Sequence, residues 1–166
     1  MKQMCFSVLV FFLWTSGFAL AGDKATPEDV IKKVYEAATF LSQNPDDSAL
    51  ESFNEKNGSW VFKDTYVFVF DCGKGTIIGH PVRPQLIGRP LMGLKDTRGN
   101  YIFVRLCESA QKPKGGWVEY WWPKVGEEKT SRKVSFMTKV PGTPYSVGAG
   151  IYDENKPVEE LEKLLR

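Results

Sequence analysis

Residues 65–70 read Thr-Tyr-Val-Phe-Val-Phe, aromatic or β-branched at every position. Neither parity of this stretch is polar, so it reads as a strand buried on both faces, with Tyr66, Phe68 and Phe70 as sheet packing. A chain holding such a strand has to cover both sides of its sheet. Asp71-Cys72-Gly73-Lys74-Gly75 is a turn, and Thr76 to His80 form the returning strand. Further along, Trp117-Val-Glu-Tyr-Trp-Trp122 is a strand that ends at Pro123, and the charged residues Lys124 to Arg132 make a hairpin loop. Lys133 to Val140 and Tyr145 to Tyr152 are two more strands, separated by the turn Pro141-Gly142-Thr143-Pro144.

Helices flank these strands. Thr26 suits an N-cap, Pro27 the first helical position, and Glu28 and Asp29 the positive end of the helix dipole. Val30, Val34, Ala37, Ala38 and Leu41 recur at helical spacing until Asn44-Pro45 stops the run. A shorter helix is expected from Asp47 to Asn54, followed by the turn signal Asn57-Gly58. Asn100 to Ala110 is ambiguous: Ile102 and Val104 favour a strand, whereas Phe103, Leu106, Cys107 and Ala110 form a helical stripe. The segment is long for a strand, which favours helix. Pro157 opens a short amphipathic C-terminal helix, residues 155–166, carrying Val158, Leu161, Leu164 and Leu165. The order predicts an α+β domain, one antiparallel sheet of about five strands with the N-terminal helix on one face.

The first residues read as a separate unit. Lys2 precedes an apolar run from Met4 to Phe18, and Ala19-Leu20-Ala21 is a small-x-small cleavage signature. This is the pattern of a secretory signal peptide, residues 1–21. The rival reading, a retained membrane anchor, needs roughly 20 apolar residues, and the run is shorter. No later stretch is long and apolar enough to span a bilayer, so the mature chain is expected to be exported, periplasmic or secreted. Its cysteines are then Cys72 and Cys107. In an oxidising compartment such a pair is either a disulfide or two buried thiols. A bridge would close a 35-residue loop, worth roughly 3–4 kcal/mol.

A net charge of +2 argues against a nucleic-acid binder. The single histidine rules out zinc sites built on two histidines and leaves His80 as the one possible histidine base. His80 has no evident catalytic partner, and pairing with either cysteine would need a free thiolate. Gly73, Gly75 and Gly79 do not have dinucleotide-loop spacing and fall inside a hairpin. Asp46, Asp47, Asp71 and Asp96 lie near turns without calcium-loop spacing, and read as caps and turn formers. The sequence therefore implies neither an enzyme nor a metal or cofactor. The aromatic strand is more informative: Trp117, Glu119 and Trp121 share one face, and Val118, Tyr120 and Trp122 the other. Such rings serve a core or a pocket wall. Donors that could converge on a pocket are His80, Arg83, Arg89 and Lys133, each of which taken alone is equally a solvated or structural group. An Arg or Lys in an aromatic-walled pocket suits a carboxylate.

From Leu50 to Tyr152 the sequence resembles a single Cache domain, the PAS-like extracytoplasmic sensor module of chemoreceptors and histidine kinases. The resemblance is carried by Ala49 to Asn54 followed by Tyr66-Val67-Phe68-Val69, by Gly75 and Gly79-His80-Pro81, and by Leu86-Ile87-Gly88-Arg89. It continues through Asp96 and Gly99, Gly116 to Pro123, Lys133 with Ser135-Phe136, and Val147 to Tyr152. It implies a single domain over residues 22–154, and supports the helical reading of Asn100 to Ala110. It also implies a pocket opposite the N-terminal helix, roofed by the long irregular segment that Pro81, Pro84, Gly88, Pro90 and Gly93 mark and by the helix of Asn100 to Ala110. Relatives of this kind take small organic acids such as acetate, pyruvate, propionate or lactate. By position, His80, Tyr120, Trp122 and Lys133 are expected to line the pocket, with Arg89 behind them. Two departures stand out: Phe136 where a tyrosine is common, which removes one hydroxyl donor, and Cys72 in the hairpin. Membrane helices and an output domain, usual in such receptors, are not seen. The expectation is an exported domain, monomer or weak dimer, that binds a small carboxylate and presents it to a membrane receptor or transporter. The alternative is a protein-interaction or structural module with a vestigial pocket.

Overall fold

A computed structural model describes residues 23–165; the expected signal peptide and its cleavage position lie outside the described residues. Helix α1 (Pro27–Gln43) starts where its capping residues dictate. Thr26 Oγ1 accepts from the Asp29 N–H while the Asp29 carboxylate accepts from the Thr26 N–H, so both orphan donors are satisfied. Asn44 ends the helix by donating from its backbone and side chain to the Phe40 carbonyl. The expected second helix is divided into α2 (Asp47–Glu51), capped by Asp46, and one 3-10 turn (Ser52–Asn54). Then come β1 (Val61–Phe62), β2 (Thr65–Asp71), β3 (Thr76–Gly79), α3 (Ile102–Ala110), β4 (Gly116–Pro123), β5 (Thr130–Lys139) and β6 (Tyr145–Tyr152). The described chain closes with α4 (Val158–Leu161) and a 3-10 turn (Glu162–Leu165).

The six strands form one antiparallel sheet in the order β1-β2-β6-β5-β4, with β3 also pairing to β2. The sequence reading held about five strands. The additional one, β1, is two residues long and exists by pairing Val61 and Phe62 with Tyr66 and Thr65. β5 begins at Thr130, three residues before the expected Lys133, because Thr130 to Arg132 continue the pairing with Pro123 to Trp121.

All seven residues of β2 are buried, as its apolar parity requires. Val67 and Val69, with Val147, Ala149, Ile151, Val134, Phe136 and Trp117, pack with the α1 stripe in one core. Tyr66, Phe68 and Phe70, with Val118, Tyr120 and Met137, pack with Ile102, Phe103 and Leu106 of α3 in a second. Phe136 therefore faces α1, its ring 5.4 Å from Tyr35 and 5.6 Å from Trp117. Its missing hydroxyl is no loss to a pocket on the other face, contrary to the expectation from the sequence.

The second face is roofed by α3 and by residues 81–101. Asp96 organises that segment: Oδ1 accepts from the backbone of Arg98 and Asn100, and Oδ2 from the Trp121 N–H. Burial works against its charge, but the bond from the Asn100 side-chain amide, together with these backbone bonds, holds its carboxyl below the usual range. Cys72 and Cys107 are joined in a disulfide, with Cα atoms 5.8 Å apart, that ties the β2–β3 turn to α3. The free edge of β4 is capped by side chains. Glu162 accepts from the Trp117 N–H, Arg105 donates to the Glu119 carbonyl, and Asp96 accepts from the Trp121 N–H. An edge occupied in this way offers little to an incoming strand. Among the described residues no helix is long and apolar enough to cross a membrane.

Candidate ligand-binding site

A cavity lies between the sheet and α3. β2 contributes Tyr66 and Phe68, β3 Ile77, β4 Tyr120 and Trp122, and α3 Phe103 and Leu106, with His80 just beyond β3. It leaves about 10 Å³ for the centre of a water molecule, which is room for about one.

His80 is fixed by three hydrogen bonds. Its N–H donates to Asn54 Oδ1 at 3.0 Å, and its Nδ1 accepts from the N–H groups of Arg83 (3.0 Å) and Val82 (3.3 Å). An Nδ1 that accepts puts the ring proton on Nε2. Burial pushes the imidazole pKa down to about 3, with Lys133 and Arg83 adding to the effect. His80 is therefore a neutral N–H donor, its ring tilted against Tyr66 at 4.7 Å and stacked with Phe68 at 6.4 Å.

Tyr120 and Ser135 share a 2.9 Å hydrogen bond between their hydroxyls. Trp122 meets the edges of Tyr120 and Phe103, and the Arg83 guanidinium sits 5.6 Å over its ring. Lys133 pairs across the sheet with Tyr120 on one side and Tyr152 on the other. Its side chain passes over Gly150, where a Cβ would stand 2.7 Å from Lys133 Cε. Nζ then donates to Tyr66 Oη at 3.2 Å, 4.4 Å from the Tyr66 ring centre and 5.1 Å from that of Tyr152. Lys133 is buried, and among the described residues no carboxylate pairs with it. Burial opposes its charge, the phenols of Tyr66, Tyr120 and Tyr152 favour it, and the balance holds its pKa above the ordinary value.

Of the residues expected from sequence, His80, Tyr120 and Trp122 come together on the cavity wall. Lys133 stands one side chain behind it, shielded by Tyr66. Arg89 is exposed and lines none of the cavity; Arg83 is the arginine beside it. Tyr66 and Phe68, assigned from sequence to sheet packing, are wall residues, as are Ile77, Phe103 and Leu106. Among the described residues no cluster of three or more His, Cys, Asp or Glu side chains could hold a metal.

A sheet covered by a long helix on one face and roofed by a short helix and a loop on the other is a PAS-like α+β fold. The chain belongs to the Cache domain family, whose profile matches residues 28–156. It is 28% identical over 101 residues to the methyl-accepting chemotaxis protein McpP of Pseudomonas putida, covering 61% of this chain and 18% of that protein. It is 26% identical over 162 residues to the sensor histidine kinase MctS of Rhizobium johnstonii, covering 88% of this chain and 35% of that one. The chain thus spans well under half the length of these curated relatives. Its fold matches a solved structure described as the structural basis for carboxylic acid recognition by a Cache chemosensory domain. The TM-score is 0.59 at 20% identity, over 77% of this chain and 88% of that one. Cache domains are sensory modules of chemotaxis receptors and sensor kinases.

Proposed function

We propose that this chain is an exported sensor domain that takes up a short-chain carboxylate beneath α3 and presents it to a membrane receptor or transporter. The observation that carries this reading is Lys133, a buried ammonium whose hydrogen-bond partner is a phenol and which has no carboxylate beside it among the described residues. The neighbouring phenols keep Lys133 charged, and a carboxylate gives an ammonium a stronger, charge-assisted bond than a neutral phenol does. The surroundings suit a carboxylate in particular. His80 Nε2–H and the hydroxyls of Tyr66 and Tyr120 are donors within an otherwise apolar, aromatic wall. The kinship with chemotaxis receptors and a sensor kinase supports a sensory rather than a catalytic role, and the carboxylic-acid recognition described for one structural neighbour supports the ligand class.

The test is a thermal-shift and calorimetric screen of the exported chain against acetate, propionate, pyruvate and lactate, with acetamide as the neutral control. At 100-fold excess over Kd a true ligand stabilises by about 2.7 kcal/mol, and acetamide does not. A second reading, an interaction module with a vestigial pocket, is favoured by one observation: the cavity holds about one water. A stable dimer in solution, with no response to any of the acids, would select it.

A further inference from the structure

On the far side of Tyr66 from the cavity lies a groove of about 620 Å³, between the start of β2, the turn after β4 and the end of β6. Tyr66 belongs to both spaces, and Tyr152 lines the groove. The Lys133 ammonium is packed against the faces of these two rings. We propose that the groove is the vestibule of the carboxylate site, and that Tyr66 is the partition a ligand must displace to reach Lys133. This rests on the carboxylate reading of the cavity and adds the route to it and the residue that sets the size of acid admitted.

Three observations point to Tyr66. A cavity with room for about one water cannot accept even acetate, so a wall has to move. The roof helix, Tyr120 and His80 are anchored, the last by three hydrogen bonds. α3 is bound to the sheet by the Cys72–Cys107 bridge and by Phe103 stacked 4.8 Å from Phe70, and Tyr120 is bonded to Ser135. Tyr66 is held at its hydroxyl by a single 3.2 Å bond from Lys133, its own O–H proton has no acceptor among the described residues, and its buried ring is the one wall that also lines the groove. The chemistry of the exchange is also balanced. When the phenol leaves Nζ, an arriving carboxylate oxygen takes its place, so the buried ammonium is never left without a partner. Four lysines and three carboxylates stand among the groove's lining residues and Asp29 pairs with Lys63, so the lining is close to neutral and the positive charge that draws an anion is Lys133, just behind the floor.

The experiment has two arms. In the first, which needs no ligand, Lys133 acylation by acetic anhydride is mapped by mass spectrometry in wild type and in Tyr66→Ala, with Tyr66→Leu as the milder variant should alanine fail to fold. Opening the partition should raise the Lys133 rate relative to the exposed lysines about tenfold or more. In the second, exchange of ¹³C-acetate is followed by NMR in wild type and in Val61→Trp, which fills the groove. Association and dissociation should both slow about tenfold. Tyr66→Ala should also shift preference toward hexanoate over propionate. If Lys133 stays as unreactive in a folded Tyr66 variant as in wild type, or if Val61→Trp exchanges acetate at wild-type rates, the partition is refuted while the carboxylate reading stands. If wild type binds none of the acids, the carboxylate reading falls and the route falls with it.

Discussion

Replacing Cys72 and Cys107 together by alanine should cost the fold about 4 kcal/mol. The bridge joins residues 35 apart in sequence, for which the chain-entropy expression gives about 13 cal/mol/K, or about 3.8 kcal/mol at 25 °C. For the 143 described residues, unfolding entropy near 60 °C is about 300 cal/mol/K, so the melting temperature should fall by about 13 °C. The assay is urea unfolding of oxidised wild type, reduced wild type and the double variant, the last two of which should coincide. A double variant within about 1 kcal/mol of oxidised wild type would refute the loop-closure reasoning; so would titration of both thiols in unreduced protein. The location adds a second readout. Because the bridge ties α3 to the β2–β3 turn, its loss should speed amide exchange in residues 102–110 more than in α1. Uniform acceleration across both helices would show that the bridge holds the whole fold and not the roof.

Lys133→Met should weaken carboxylate binding by about 2–5 kcal/mol, about 30- to 4,000-fold in Kd by calorimetry, since it removes the buried charge that the ligand would complete. His80, with a pKa pushed from 6.5 to about 3, is neutral in the fold while the unfolded chain takes up a proton. Its stability contribution is full above pH 6.5 and declines as pH falls toward 3, by about 1.4 kcal/mol per unit. Urea-derived stabilities between pH 7 and 4 should show that slope in wild type, and one proton less of it in His80→Gln. Gly150→Ala drives a methyl group into Ser135 Oγ and puts it 2.7 Å from both Lys133 Cε and the Val134 carbonyl. It should destabilise by about 1–3 kcal/mol in chemical denaturation and reduce acetate binding by displacing the lysine.

Much of the fold was legible because local signals agreed with tertiary burial. Thr26, Asp29 and Asn44 mark both ends of α1 through hydrogen bonds their residue types make well. The expected span Tyr145 to Tyr152 is the span of β6. For α3 the β-branched Ile102 and Val104 argued for a strand, and the helical stripe won because Phe103, Leu106, Cys107 and Ala110 are all buried on one side. β1 was not legible, since a two-residue strand has no periodicity of its own and is defined by its partner.

The site was legible in part, and register explains the remainder. β2 shows no polar parity, so polarity could not say which of its residues face the pocket. Size could have: its valines, 67 and 69, lie against α1, while Tyr66, Phe68 and Phe70 reach toward the roof. The contrast holds along β2 alone, since Trp117 and Phe136 on neighbouring strands bring rings to the α1 face. Lys133 turned on a three-residue shift. Had the hairpin loop ended at Arg132, Lys133 would be the first residue of its strand, on the rim and open to water. With β5 beginning at Thr130, it is the fourth, opposite Tyr120 and Tyr152 and beside the empty face of Gly150. The same side chain becomes a buried cation by the length of a loop, and Arg89, carrying the same charge on an exposed stretch with no strand to direct it, does not.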